Sequence, residues 1–454
     1  MSEEQATQKR KQPSSVRHTR AIQREREKHP PAAPPPAEIV ERLTNLVHPR
    51  TLALADLFRQ LGLRMRTLTL PVMLALVLDM IWRQGGSISE LTRRIGREAV
   101  LWASPRKVSQ QALSERLTTL PAELFWRVLC DVSPHLQQRW QARQRPVAPE
   151  IAWAEAHYTA SYIADGSALD SLLRKIGLLR DLPENPLAGK ITALLHLGSR
   201  LPARIWYTAN ALAHDAGFWP QMLEVLQADN LLLIDRGYIN FTIFAQLTAL
   251  GVTFITRAKA NLSYTVTRTV LYRPHVHDLV VQVGQGETLQ LLRLVEVYFN
   301  GTWYRYLSNE LQPERLPTVY LVALYRRRWR IEESFSTVKR LLGLAYFWCG
   351  AQNAIELQIA ATWLLYGVLV DLTDAVAEVL QQPFEALSLE MVYRSLAYYV
   401  DAHARGEADD VVSYLAADAK GLGILKRKRK SAKPSPLDMM KTALDKISEP
   451  LTCD

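Results

Sequence analysis

Leu324-Tyr325-Arg326-Arg327-Arg328-Trp329-Arg330-Ile331-Glu332-Glu333-Ser334-Phe335-Ser336-Thr337-Val338-Lys339-Arg340 is the stretch on which the reading of this chain turns. It contains neither Gly nor Pro and reads as one helix. Stepped at about 100° per residue, Leu324, Ile331, Phe335, Val338 and Leu342 form an apolar stripe suited to a core. Tyr325, Arg328, Glu332 and Lys339 fall on a neighbouring stripe, within roughly 60° of one another. One hydroxyl, one guanidinium, one carboxylate and one ammonium therefore share an edge. A carboxylate can hold a divalent cation through oxygen, and the cations and hydroxyl can grip phosphate oxygens. The plainer reading is a solvated basic helix carrying one i,i+4 ion pair, Arg328 to Glu332. Acids elsewhere in the chain decide between the two.

Two such acids end strand-like runs upstream. Tyr158 to Ser167 is rich in β-formers and finishes on Asp165-Gly166-Ser167. Leu231-Leu232-Leu233-Ile234 is a buried-strand run followed by Asp235-Arg236-Gly237. An aspartate at a strand end is often only a turn residue. Three carboxylates together are what a pair of divalent cations needs to clamp a phosphodiester during in-line displacement. Oxygen ligands favour Mg²⁺, with Mn²⁺ as a substitute. Asp170 and Glu333 compete for ligand positions. Asp170 lacks the Gly-Ser context, and Glu333 steps off the Arg328–Lys339 line, so Asp165 and Glu332 are preferred. His157 and His196 lie near the expected site, either as a general base or as satisfied histidines.

The spacing Tyr325-x2-Arg328-x3-Glu332-x6-Lys339, with Trp329 after the Arg and Ile331 before the Glu, resembles the Y-R-E-K signature of the DDE transposases of the IS-4 type. Asp-Gly-Ser at Asp165 and Asp-Arg-Gly at Asp235 resemble that family's first and second aspartate motifs, so the resemblance runs from about residue 155 to 370. It implies an RNase H-like catalytic domain with a β-rich insertion before the glutamate. It implies Asp165, Asp235 and Glu332 as catalytic residues and ligands of two Mg²⁺ ions. It implies cut-and-paste transposition, with cleavage at the element ends, a hairpin step and joining to target DNA. Arg328 and Lys339 would then hold phosphates near the scissile bond, and Tyr325 the terminal phosphate. Trp303, beside a predicted turn, is the candidate for stabilising a flipped base, or else a core tryptophan. Two alternatives stay open: a non-catalytic transposase-derived DNA-binding protein, and a metal-dependent nuclease without strand transfer.

The flanks fit a DNA partner. The chain has 454 residues, enough for two or three domains. A net charge of +10 and a pI of about 9.4 point to a polyanion. The most apolar helix candidate, Ala354 to Leu372, holds Glu356, Gln358 and Asp371, and reads as a buried helix rather than a membrane span. The first residues are polar and charged, so no signal peptide is expected. Cys130, Cys349 and Cys453 are scattered and form no disulfide framework, which suits a reducing cytoplasm. His275 and His277 with Asp278 could suggest a metal site, but two alternating histidines on a strand read as plain surface residues.

The expected organisation has six parts. Residues 1–37 form a basic, Pro-rich tail. Residues 38–150 form a helical DNA-binding domain, in which helices near Ser87 and Ser109 carry Arg93, Arg94, Arg97, Arg106, Lys107 and Arg116. Residues 151–257 and 318–372 are the two parts of the α/β catalytic domain. Residues 258–317 are the β insertion, with a hairpin at Asn300-Gly301. Residues 373–454 form a helical region with a basic tail. A homodimer in a synaptic complex, working in the bacterial cytoplasm on the nucleoid, completes the expectation.

Overall fold

The structure is a computed structural model. It describes residues 37–64, 66–83, 87–169, 189–344, 347–348, 351–427 and 434–445. Asp170, all of the expected N-terminal tail except Ala37, and the basic cluster from 428 to 433 lie outside the described residues.

Helices come first: α1 (Ala37–Leu46), α2 (Leu70–Trp82), α3 (Ile88–Ile95), α4 (Gln110–Thr119) and α5 (Glu123–Ala142). The two serines read as helix starts do cap. Ser87 accepts from the Glu90 amide and Ser109 from the Ala112 amide, each satisfying an otherwise orphaned donor. Apart from Pro71, every residue of α2 is buried, because its sequence is apolar except for Asp79, which pairs with Arg83 and Arg94.

Strands follow: β1 (Ala160–Ala168), β2 (Lys190–His196), β3 (Pro202–Thr208), β4 (Asn230–Ile234) and β5 (Thr253–Arg257). Then come β6 (Thr265–Arg273), β7 (Val276–Val283), β8 (Gln290–Phe299) and β9 (Thr302–Ser308). They form one sheet in the order β3-β2-β1-β4-β5-β9-β8-β7-β6. The pairs β1–β4 and β4–β5 are parallel, while β1–β2 and β2–β3 are antiparallel. The segment between β5 and the long basic stretch does not stand apart. It extends the sheet through β9, where Arg257 faces Tyr306. Asn300 and Gly301 both have positive φ, 48° and 76°, as a two-residue hairpin turn requires.

Side chains alternate across the strands and feed two cores. Ile163, Leu231, Leu233 and Ile255 face the helical side. Ala164, Leu232, Ile234 and Phe254 face the other side, where they meet Phe218, Trp219 and α6 (Phe241–Ala249).

The stretch that opened the sequence reading is not one continuous helix. It comprises α7 (Thr318–Arg327), α8 (Arg330–Ser336) and a π turn over Thr337–Leu341. At the break the amides of Arg328, Ile331 and Glu332 bond three residues back, at 3.0, 3.2 and 3.1 Å. That tighter winding differs from the uniform 100° step, and it leaves Arg328 4% exposed beside Trp329 at 58%.

The apolar helix becomes α9 (Gln352–Val379), long enough to cross a membrane but buried almost throughout, chiefly against α5 and α2. Its acids have partners. Asp371 meets Arg143 at 2.6 Å and Arg42 at 3.1 Å, and Asp374 meets Arg143 at 2.9 Å and Arg145 at 2.5 Å. These pairs tie the N-terminal helices to α9.

Candidate active site

Strand register brings the two aspartates side by side. The parallel β1–β4 pairing ends at Ala164 opposite Ile234, so Asp165 and Asp235 are the next residues on neighbouring strands. Asp165 is still inside β1, facing Ala193, because β2 continues the pairing to Ala168. The sequence placed it at the strand end, which holds only for the parallel side. By alternation, both aspartates project to the helical face with Ile163 and Leu233.

There they meet Arg328. Its guanidinium lies 2.9 Å from Asp165, 3.7 Å from Asp235 and 3.6 Å from Glu332. The Tyr325 hydroxyl reaches Asp235 at 3.4 Å. Lys339, buried on the π turn, donates to the Ser167 hydroxyl and, at 2.6 Å, to the Ala168 carbonyl. The Asp-Gly-Ser motif is therefore held at both ends, at Asp165 by Arg328 and at Ser167 by Lys339. Glu333 points elsewhere, pairing with Arg200 at 2.7 Å.

Burial sets the electrostatics. It pushes Asp165 up to about 6, against the pull of Arg328 and the Gly166 amide, with Asp235 adding to the rise. It raises Glu332 as well, opposed by Arg328. The Tyr325 phenol is pushed up to about 12, again by burial first. Burial works against charge on Arg328, yet Tyr325 and the three acids outweigh it and hold the guanidinium above its usual range.

The donor set suits a hard divalent cation, since it is all carboxylate oxygen. Asp235 and Glu332 are open to solvent, at 40% and 46% exposure. Among the described residues, however, no three His, Cys, Asp or Glu side chains are close enough to form a ready metal cluster. The Arg328 guanidinium lies among these acids, and Asp165, Asp235 and Glu332 are the residues that would hold a divalent cation.

Other candidates are placed as follows. Trp303 lies past the carboxyl end of β5, the same end of the sheet as the aspartates, but two strand spacings from β4, roughly 10 Å. Its ring stacks on His277 at 4.5 Å and tilts against Tyr298 at 5.2 Å. His277 also stacks on Tyr272 and pairs with Glu296 at 3.1 Å. Asp278 is taken by Arg293, at 2.6 Å. His157 stacks on Trp153. His196 packs by Tyr162, and burial lowers it to about 4. Neither histidine has a carboxylate partner among the described residues.

Residues 188–367 match the family described as transposase DDE domain. A Sinorhizobium fredii protein, y4zB, a transposase by name, is 26% identical over 148 residues, which are 30% of this chain and 41% of that protein. The chain thus spans about two fifths of the length of that curated relative. A piggyBac transposase synaptic complex with hairpin DNA superposes at a TM-score of 0.35 and 11% identity, covering 92% of this chain and 89% of that one. This family match falls on the strands and helices that carry Asp235, Arg328 and Glu332, and it agrees with the IS-4-type resemblance of the sequence motifs.

Proposed function

We propose that this protein is an active transposase that cleaves the ends of its element and joins them to target DNA by cut-and-paste, through a hairpin. The observation that carries the reading is the meeting of Asp165, Asp235 and Glu332 around the Arg328 guanidinium. These acids come from two strands and one helix far apart in sequence. The part of the sheet ordered β3-β2-β1-β4-β5 is read as an RNase H-like core, and β6–β9 as its insertion.

In this reading the three acids hold two Mg²⁺ ions. When bound, such ions lower the pKa of the attacking hydroxyl and stabilise the leaving oxygen. Arg328 and Lys339 are the phosphate clamps. Lys339 also fixes Ser167 and so orients Asp165. Tyr325 contacts the terminal phosphate, and Trp303 serves the flipped base. The chain works as a homodimer on DNA, in the cytoplasm with the nucleoid, and divides into the six parts expected from sequence.

The N-terminal helices add a DNA surface. Three of the six basic residues there are occupied. Arg94 pairs with Asp79 at 2.5 Å, Arg106 donates to the Thr67 carbonyl at 3.0 Å and Arg116 to the Leu68 carbonyl at 3.1 Å. Arg93, Arg97 and Lys107 instead line an open cleft of about 420 Å³ beside Ser109, which caps α4. Three exposed cations at a helix start suit backbone phosphates.

The test incubates the full-length protein with DNA carrying its element's terminal inverted repeats and Mg²⁺. Asp235→Ala is expected to abolish cleavage while DNA binding persists. Cleavage by the variant at the wild-type rate rejects the assignment, and cut ends with no joined product favour a nuclease instead.

A further inference from the structure

One acid beside this site has no place in the mechanism above. Asp215 opens a short 3₁₀ turn, Asp215–Phe218, between β3 and β4. That turn packs on the sheet face opposite Arg328, where Phe218 joins the core of Ala164 and Ile234. Lys190, the first residue of β2, fixes the carboxylate. Its ammonium lies 2.6 Å from Asp215 Oδ1 and donates to the Ala213 carbonyl at 2.9 Å.

The position of that carboxylate accounts for one glycine and borders a second. A Cβ at Gly166 would overlap Asp215 Oδ1, and would lie 2.9 Å from its Cγ and 2.8 Å from Lys190 Cε. A Cβ at Gly237 would touch Asp215 Oδ2 at 3.6 Å. Gly166 directly follows Asp165, and Gly237 stands two residues after Asp235. One carboxylate therefore lies against both aspartate motifs at once, from the sheet face opposite Arg328. Neither glycine has a positive φ, so at Gly166 the requirement is space rather than backbone conformation.

We infer that Asp215, clamped by Lys190, is a positioning residue that sets the separation of Asp165 and Asp235. It seats against Gly166 on the strand and near Gly237 on the following turn, and keeps the two acids in register for a shared pair of cations. It is not itself a ligand, since it occupies the opposite face of the sheet. The inference rests on the transposase reading of Asp165 and Asp235.

The test titrates Mn²⁺ alone against the full-length protein by electron paramagnetic resonance, beside urea midpoints, for Asp215→Asn, Asp215→Ala, Gly166→Ala and the double variant Gly166→Ala/Asp215→Ala. Asp215→Asn keeps the shape and is expected to fold, yet to bind Mn²⁺ at least ~10-fold more weakly, the usual scale for partners that orient ligands. The Mn²⁺ concentration for half-maximal end cleavage should rise in parallel. Gly166→Ala should weaken Mn²⁺ binding strongly in the wild-type background and much less once Asp215 is Ala, because the clash with the carboxylate is gone and only the flexible Lys190 side chain must shift. Wild-type Mn²⁺ affinity in Asp215→Asn, or additive effects in the double variant, overturns the inference and leaves Asp215–Lys190 an ordinary ion pair. Asp235→Ala separates the two failures. If it abolishes Mn²⁺ binding while the Asp215 variants do not, only this inference falls. If it also leaves Mn²⁺ binding intact, the transposase reading falls with it.

Discussion

Arg328 and the adjacent glutamates show how one residue step decides a role. Glu332 lies 3.6 Å from Arg328 and stays open to solvent, whereas Glu333 is drawn to Arg200. Glu332→Gln should lower end cleavage by ~10³-fold, equivalent to about 4 kcal/mol of lost transition-state stabilisation. Glu333→Gln should cleave normally and lose about 1–3 kcal/mol of stability, because the amide still accepts from Arg200 but leaves that buried guanidinium without its countercharge. A stopped-time cleavage assay beside urea unfolding separates them, and equal cleavage by both variants contradicts the assignment. His196 gives a second residue-scale outcome. Its folded pKa of about 4 lies below the unfolded value, because burial disfavours the charged ring. Between those values the unfolded chain takes up a proton that the folded chain refuses. The stability is thus fully present above about pH 6.5 and is lost as pH falls through 4, by roughly 3 kcal/mol. His196→Phe should flatten that acid limb, measured as urea midpoints from pH 7 to 4.

At the scale of elements, α9 is a long buried helix held by buried ion pairs. Asp371 and Asp374 are buried among Arg42, Arg143 and Arg145, which belong to or follow α1 and α5. Removing one acid strands buried guanidinium charge, which costs about 3–5 kcal/mol. Asp374→Ala should therefore lower the stability read from the urea midpoint by that amount, while a surface change such as Glu224→Ala stays within about 0.5 kcal/mol. An Asp374→Ala chain as stable as wild type contradicts the clamp. The broken α7–α8 helix shows what periodicity leaves out. The residue types at Tyr325, Arg328, Glu332 and Lys339 and their spacing are plain in the sequence. The three-residue hydrogen bonds at Arg328 and the π turn under Lys339 are not, because they respond to partners on β1. In the same way Asn300-Gly301 announces its hairpin through local turn chemistry. That β9 then docks on β5 depends on a pairing more than 40 residues apart.

Across the whole molecule, charge is distributed by use. The net +10 does not reveal which cations are structural. Arg94 serves Asp79, and Arg93, Arg97 and Lys107 remain open. Replacing those three by Ala should weaken DNA binding about equally for all sequences and reduce the slope of log K against log salt by roughly 3, since each phosphate contact contributes about 0.9. Fluorescence anisotropy over a salt series measures this, and an unchanged slope removes the cleft from the DNA surface.

The sequence by itself determined the residue types, the alternation and the local turns. Asp-Gly-Ser and Asp-Arg-Gly at strand-like runs, the spacing of the basic helix and the Asn-Gly turn all lie within a few residues, where sterics and periodicity act directly. Only the tertiary structure decided that Asp165 and Asp235 stand in adjacent register, that Arg328 gathers Glu332 with them, and that Asp215 lies behind both. Those relations join segments tens to more than a hundred residues apart. They follow from sheet pairing and the packing of helices over its face, to which no single stretch of chain commits in advance.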